Sequence, residues 1–244
     1  MNPPPSPPPL PPSPFPLSLV VFAYDEEANV APVLGAILGW LRARGAPYQL
    51  LFVDDGSRDG TGHAARDVIA GDASARVITH DRNRGIGAAL KTGVRAATLP
   101  WVTFLPCDGQ IAPHELDALG AEAARRKLRV VFSVYRARDD GWHRTLLSAA
   151  VRALVRAVHG VALRSDGPYL FRRELFDADL LVPDTFFLNF EFPIRLLRAG
   201  EPHAVVTIEC RPRRAGASKS TALRAIAGVA RDLVSLRLRL WQGR

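Results

Sequence analysis

From Leu17 onward, short apolar runs alternate with stretches whose apolar residues recur at helical spacing, and each run stops at a polar cluster. Leu17 to Tyr24 reads as a buried strand. Val30, Val33, Leu34, Ile37, Leu38 and Leu41 then fall on one helical stripe that ends near Gly45. Strand patterns return at Tyr48–Val53, Arg76–His80, Trp101–Leu105 and Arg129–Tyr135, with helices between them, including one over Pro113–Arg126. Repeated strand–helix units of this kind fold with right-handed crossovers. They predict an α/β domain with a mainly parallel central sheet and helices on both faces.

In such a sheet, ligands sit beyond the carboxyl ends of the strands, so the polar clusters there are the candidate site. After Trp101–Leu105 come Asp108, Gly109 and Gln110. A hard cation such as Mg²⁺ or Mn²⁺ takes oxygen ligands from one or two carboxylates and substrate phosphates, and Asp108 with Gln110 can supply the protein's share. The same residues also make an ordinary turn before a helix opened by Pro113. After Tyr48–Val53 come Asp54, Asp55, Gly56, Ser57, Arg58, Asp59 and Gly60. Carboxylates there accept hydrogen bonds from a ribose or a base edge, or else cap a turn. After Arg76–His80, Gly85 and Gly87 precede a helix, with Arg82 and Arg84 alongside. A G-x-G at a helix start can cradle phosphate, and it also occurs in many turns that bind none.

With 244 residues and 48% hydrophobic content, the chain can bury a full core. Its net charge of +8 points to an anionic partner, although only three of the 32 basic residues are Lys and an arginine bias also arises as a genomic habit. Cys107 and Cys210 form no C-x-x-C, which points to a reduced compartment and no disulfide framework or zinc site. Residues 1–16 hold ten of the twenty prolines and are expected to be a polyproline-type tail outside the fold. No secretory signal or spanning segment is expected, because the apolar runs are too short. The domain is placed at residues 17–217, followed by a basic amphipathic helix over 218–244.

Four blocks, in order, carry a family resemblance: VFAYDEEANV, LLFVDDGSRDGT, HDRNRGIGAALKTGVRAA and LPCDGQIAP. They are similar to the V-P-A-Y-N-E-E, V-V-D-D-G-S-x-D-G-T, R-N-x-G-x-G-x-A and D-A-D-G-Q-x-P blocks of family 2 glycosyltransferases with the GT-A fold. The resemblance is greatest to the branch of dolichol-phosphate mannose synthase and polyprenyl-phosphate glycosyltransferases, and it covers residues 18 to about 215. It implies a nucleoside-diphosphate sugar donor with Tyr24, Glu26 and Asp54 or Asp55 at the nucleoside, Gly85 and Gly87 near the phosphates, and Asp108 with Gln110 at Mg²⁺ or Mn²⁺. Pro106 stands where the family has the first Asp of its D-x-D, so one expected metal or diphosphate contact is missing.

The resemblance also implies a polyprenyl phosphate acceptor whose phosphate meets Arg136 and Arg144. Arg144 leads into a helix with Leu147, Val151, Leu154, Val155 and Val158 on one face and Arg152 and Arg156 on a flank. Such a helix suits an anionic membrane surface or simple packing on the sheet. Arg211, Arg213, Arg214, Gly216, Ser218 and Lys219 resemble an R-x-G-x-S-K block that closes over the diphosphate. The implied protein is an inverting, metal-dependent enzyme without a nucleic-acid partner. It is cytoplasmic and peripheral on the inner face of the plasma membrane. Two other expectations stand beside it: transfer to a hydroxyl with Glu191 as base, and nucleotide-sugar binding with little turnover because of Pro106.

Overall fold

The computed structural model describes residues 15–136, 142–211 and 223–242, and side chains throughout these except for 142–148 and 223–230. The proline-rich segment up to residue 14 and the basic block holding Arg213, Arg214, Gly216, Ser218 and Lys219 lie outside the described residues, as does the side chain of Arg144.

The expected alternation is present: β1 (Leu17–Ala23), α1 (Glu27–Ala43), β2 (Tyr48–Asp54), α2 (Thr61–Ile69), β3 (Ala75–Thr79), α3 (Ile86–Ala96), β4 (Trp101–Pro106), α4 (Glu115–Arg126) and β5 (Val130–Tyr135). It continues with α5 (Trp142–His159), β6 (Leu170–Arg172), a 3-10 turn (Arg173–Leu175), α6 (Leu188–Arg198), β7 (His203–Ile208) and α7 (Leu223–Trp241). The strands form one seven-stranded sheet in the order β3-β2-β1-β4-β6-β5-β7. It is mainly parallel, as expected. β1 pairs with β2 and β4, β2 with β3 and β5 with β7 in parallel, and only the three-residue β6 runs antiparallel, between β4 and β5. Neither β6 nor β7 was anticipated: β6 is too short to show a period, and β7 mixes His203 and Thr207 into its apolar run.

Side-chain alternation along the strands explains how two layers of helix are held. Leu19, Val21, Leu50 and Phe52 pack with the α1 stripe and with Leu116 and Leu119 of α4 on one face. Val20, Phe22, Leu51 and Val53 pack on the other face with Leu90 and Val94 of α3 and with Leu188 and Phe192 of α6. The α1 stripe contains all six apolar positions read from the sequence.

A third, smaller core joins α5, α6 and α7 through Val155, Phe187, Ile194, Leu233 and Leu236. Its polar centre is Glu191, fully buried on α6, which accepts from Arg195 Nε at 3.0 Å and from Arg239 Nη2 of α7 at 2.7 Å. The expectation that Glu191 acts as a base is therefore corrected. Two guanidiniums compensate its charge, and it fastens α7 to α6.

His159 on α5 faces α7, its Nε2 donating to the Leu233 carbonyl at 3.0 Å while Arg198 donates to the His159 carbonyl. Burial disfavours the imidazolium and holds the His159 pKa below its ordinary value. The bond to Leu233 opposes this, and the nearby charges of Arg198 and Arg237 reinforce it.

Two outcomes follow. Glu191→Gln leaves its arginines undercompensated and is expected to cost about 3 kcal/mol in urea denaturation. A depressed histidine contributes stability that is present above its unfolded pKa and lost as pH falls through the folded value. The urea midpoint should therefore fall from pH 7.5 to pH 5.5, with a shallower slope in His159→Gln.

Candidate active site

The strand register sets the site's layout. Ala23 aligns with Asp54, and Phe22 with Pro106. Val102 and Val130 both align with Phe171, so β4 and β5 run level on either side of β6. Continued just past the strand ends, these ladders bring Tyr24, Asp55, Asp108 and Arg136 to one row along the carboxyl edge. Strands lie about 4.8 Å apart, so β2 and β5, two places from β4 on either side, each run roughly 10 Å from it.

β6 reaches only the lower part of the gap between β4 and β5. Above it the chain closes the space with single hydrogen bonds, Thr103 Oγ1 donating to the Tyr169 carbonyl at 3.0 Å and Ser133 Oγ to that of Pro168 at 2.6 Å. The row is therefore continuous from Asp55 to Asp108 and notched between Asp108 and Arg136.

On the β1–β2 side, the acidic residues stitch the loops together. Ser57 Oγ accepts from the Asp25 amide, the Asp25 carboxylate accepts from the Arg58 amide, and the Glu27 carboxylate accepts from the Gly60 amide. Asp54 is buried and accepts from the Ser57 amide at 3.0 Å. The half-buried Glu26 places its amide on Thr61 Oγ1 and accepts from Asn29 Nδ2 at 2.6 Å. Tyr24 is half-buried beside them.

Asp55 does the most. Its Oδ1 accepts from the Arg84 amide at 2.9 Å and its Oδ2 from the Gly85 amide at 2.8 Å, and it lies 2.7 Å from His80 Nδ1. His80 continues to Thr92 Oγ1 at 2.9 Å. This buried Asp55–His80 pair was not read from the sequence. A histidine closing a strand opposite two aspartates was the available signal.

Gly85 and Gly87 do not form an open phosphate cradle. A Cβ on Gly85 would lie 2.6 Å from the Asp184 carbonyl oxygen, and one on Gly87 2.5 Å from that of Thr185. The Ala88 amide donates to the Asp184 carbonyl at 3.1 Å. Lys91 holds the covering segment through the Asp184 carboxylate and the carbonyls of Leu181 and Val182. The glycines permit a close approach, but the group that approaches is the chain's own backbone.

Asp108 is buried at the end of β4 and accepts from the Gln110 amide at 3.0 Å, so the turn reading and the ligand reading coexist. Gln110 is not turned toward a shared ion: its Nε2 donates to the Arg211 carbonyl at 3.2 Å and its carbonyl accepts from the Arg211 amide at 2.7 Å. It anchors the start of the basic block to the Asp108 loop. Between Asp108 and the β1 loop lies Cys107, whose thiol pKa is pushed up to about 12 by burial first, then by the negative charges of Glu26 and Asp108.

Among the described residues, no group of three or more His, Cys, Asp or Glu side chains converges on a metal position. One buried carboxylate in a negative pocket still fits a hard cation that takes most of its ligands from a diphosphate and water. Arg136 is exposed, with Nη1 3.8 Å from Glu209 Oε1.

Residues 18–191 match the family model described as Glycosyl transferase family 2. Over 167 residues the chain is 32% identical to the undecaprenyl-phosphate 4-deoxy-4-formamido-L-arabinose transferase of Aeromonas hydrophila subsp. hydrophila, a match covering 67% of this chain and 51% of that protein. The protein of the same name from Sodalis glossinidius is 31% identical over 169 residues, with the same 67% and 51% coverage. The chain thus spans about half the length of the curated relatives it matches. Among solved structures, glucosyl-3-phosphoglycerate synthase from Mycobacterium tuberculosis in complex with Mn²⁺, UDP and phosphoglyceric acid superposes with a TM-score of 0.68 at 23% identity, over 92% of this chain and 78% of that one. The same enzyme with Mg²⁺ and UDP gives 0.68 and 23%, with equal coverage. At that identity the likeness establishes the fold, GT-A.

The Asp55 geometry carries a test. Asp55→Ala leaves two loop amides and the His80 ring without their acceptor, and each buried orphan costs about 1–3 kcal/mol. A loss of about 3 kcal/mol in urea denaturation is expected, with faster amide exchange at Arg84 and Gly85.

Proposed function

Because the chain belongs to glycosyl transferase family 2, we propose that it moves a sugar from a nucleoside-diphosphate sugar to a polyprenyl phosphate, inverting the anomeric centre. The observation that carries this reading is the row at the sheet's carboxyl edge, with a buried carboxylate, Asp108, and an exposed guanidinium, Arg136, at matching levels past β4 and β5. Support comes from relatives named as undecaprenyl-phosphate transferases and from structural neighbours holding UDP with Mn²⁺ or Mg²⁺.

In this reading Tyr24, Glu26 and Asp54 line the nucleoside side, while Asp55 holds the neighbouring loop in place. Asp108 would hold Mg²⁺ or Mn²⁺, which when bound neutralises charge on the leaving diphosphate. Arg136 and Arg144 belong to the acceptor side, and Arg213 and Arg214 close over the diphosphate from the segment that Gln110 anchors. A guanidinium fork suits both phosphate tasks. An acceptor phosphate oxygen attacks the anomeric carbon as the bond to the diphosphate breaks, the electron pair leaving with the diphosphate. The acceptor is already an anion near neutral pH, so no side chain has to remove a proton.

That requirement separates the rival transfer to a hydroxyl, which needs a base. Glu191, the residue nominated for that task, is committed to Arg195 and Arg239. No helix among the described residues is long and apolar enough to cross a membrane. The proposed acceptor is a membrane lipid, and on that ground we place the protein peripherally on the cytoplasmic face of the plasma membrane. Pro106 carries a second reading, in which the chain binds nucleotide sugar with little turnover.

A screen of nucleotide sugars with a short prenyl phosphate and Mg²⁺ or Mn²⁺ tests the proposal. Turnover is expected with at least one donor, and Asp108→Asn should reduce it by two orders of magnitude or more, about 3 kcal/mol of transition-state stabilisation. Near wild-type turnover in that variant would remove Asp108 from the mechanism. Donor binding without turnover, unchanged in Pro106→Asp, would favour the second reading.

A further inference from the structure

Beside the β5 end of the row lies a cleft of about 590 Å³ between α5 and the segment that follows it. This is the size range of small-ligand pockets. Its rim carries Arg152 and Arg156, one helical turn apart on α5, with Arg164 and Asp166 from the segment leading to β6. Between these charges the lining is apolar: half-buried Val134, exposed Ala153 and Ala162, and the edge of Leu163, which is otherwise buried. Val134 of β5 lies two residues before Arg136, whose amide continues the β5–β7 ladder by donating to the Ile208 carbonyl at 2.9 Å, so the two side chains project from the same side.

The charge on this rim is poorly compensated. Asp166 is its one carboxylate, 3.7 Å from Arg152, and both side chains of that pair are about 40% exposed (39% and 44%). An ion pair of that length and exposure holds weakly. Among the described residues neither Arg156 nor Arg164 has a carboxylate within ion-pair distance.

The segment is nevertheless held in place. The Asp166 and Gly167 amides both donate to the Ser133 carbonyl, at 3.0 and 3.2 Å, and a Cβ on Gly167 would lie 2.5 Å from Ser133 Oγ. On the helix side, Val155 and Leu163 are buried in the third core. The guanidiniums are therefore carried by backbone that is fixed before any ligand arrives, which reduces the ordering cost of binding.

Three arginines beside accessible apolar side chains match a phosphate attached to a hydrocarbon chain. We propose that this cleft binds the acceptor, with its phosphate among Arg152, Arg156 and Arg164 and its first isoprene units on Val134, Ala153 and Ala162. The proposal rests on the lipid-phosphate reading above and extends it. It adds three arginines to the acceptor side and has the prenyl chain leave between α5 and β5.

Titration calorimetry on the full chain tests it with three probes: geranyl phosphate, geraniol and inorganic phosphate. The wild-type protein should bind geranyl phosphate more tightly than either other probe. Arg156→Ala and Arg164→Ala should each weaken that binding about tenfold or more, the scale of a lost charged hydrogen bond. Both residues are exposed, so the melting temperatures should stay at the wild-type value, and Arg156→Lys should recover part of the affinity.

Folded alanine variants that bind geranyl phosphate like the wild type would overturn the cleft assignment while leaving the acceptor reading intact. Inorganic phosphate binding as tightly as geranyl phosphate would overturn the prenyl part and leave a simple anion site. Failure of the wild-type protein to bind geranyl phosphate would defeat the acceptor reading itself, and this proposal with it.

Discussion

The parallel register of β1 with β2 and β4 is the constraint on which the rest of the molecule depends. Each strand ends within a residue or two of the same level, so whatever follows a strand is delivered to a common edge. That delivery brings Tyr24, Asp55 and Asp108 into one row although they are far apart in sequence. A slip of one residue in any of these pairings would exchange the faces of the strand, placing the Val20 and Phe22 side against α1. The register is thus fixed by burial on both faces, and the site inherits its spacing from the core.

The abundance of carboxylates at this edge serves two purposes that their residue type alone does not distinguish. Most of them hold loops: Asp25, Glu27 and Asp59 join the β1 and β2 loops, and Asp55 gathers the loop after β3. Asp108 lies in the same negative neighbourhood: its charge and that of Glu26 both act on the buried Cys107 thiol, and the Gln110 amide donates to one of its oxygens. The β1–β2 end of the edge is held by acids that accept from backbone amides.

Periodicity made the α1 stripe legible, and the apolar runs β1 to β5 were found nearly at their true ends, because burial on both sides of a sheet leaves long unbroken signals. β6 and β7 were missed because three residues show no period and because His203 and Thr207 interrupt the apolar pattern. Asp108 stands just past the end of β4, where the apolar run of the sequence stops. Glu191 shows the opposite case. A lone acid in an apolar helix has the same appearance in sequence whether it is a base or an ion-pair centre, and its partners lie at two distances, Arg195 one turn away and Arg239 on the last helix. Gly85 and Gly87 read as a G-x-G that can cradle phosphate, but what they receive is the backbone of residues 184 and 185, nearly a hundred residues distant. No local signal identifies it.

The brevity of β6 has a consequence for how this architecture diversifies. Because the strand stops after three residues, the edge between β4 and β5 is finished by a connecting segment instead of a ladder. Changes of length or composition there leave the hydrogen-bonded rows of β1, β2 and β4 undisturbed. The half of the molecule built on β1, β2 and β4 is thereby insulated from revision of the segment that closes the β4–β5 edge. A lineage can remodel that segment while the sheet beneath it stays the same.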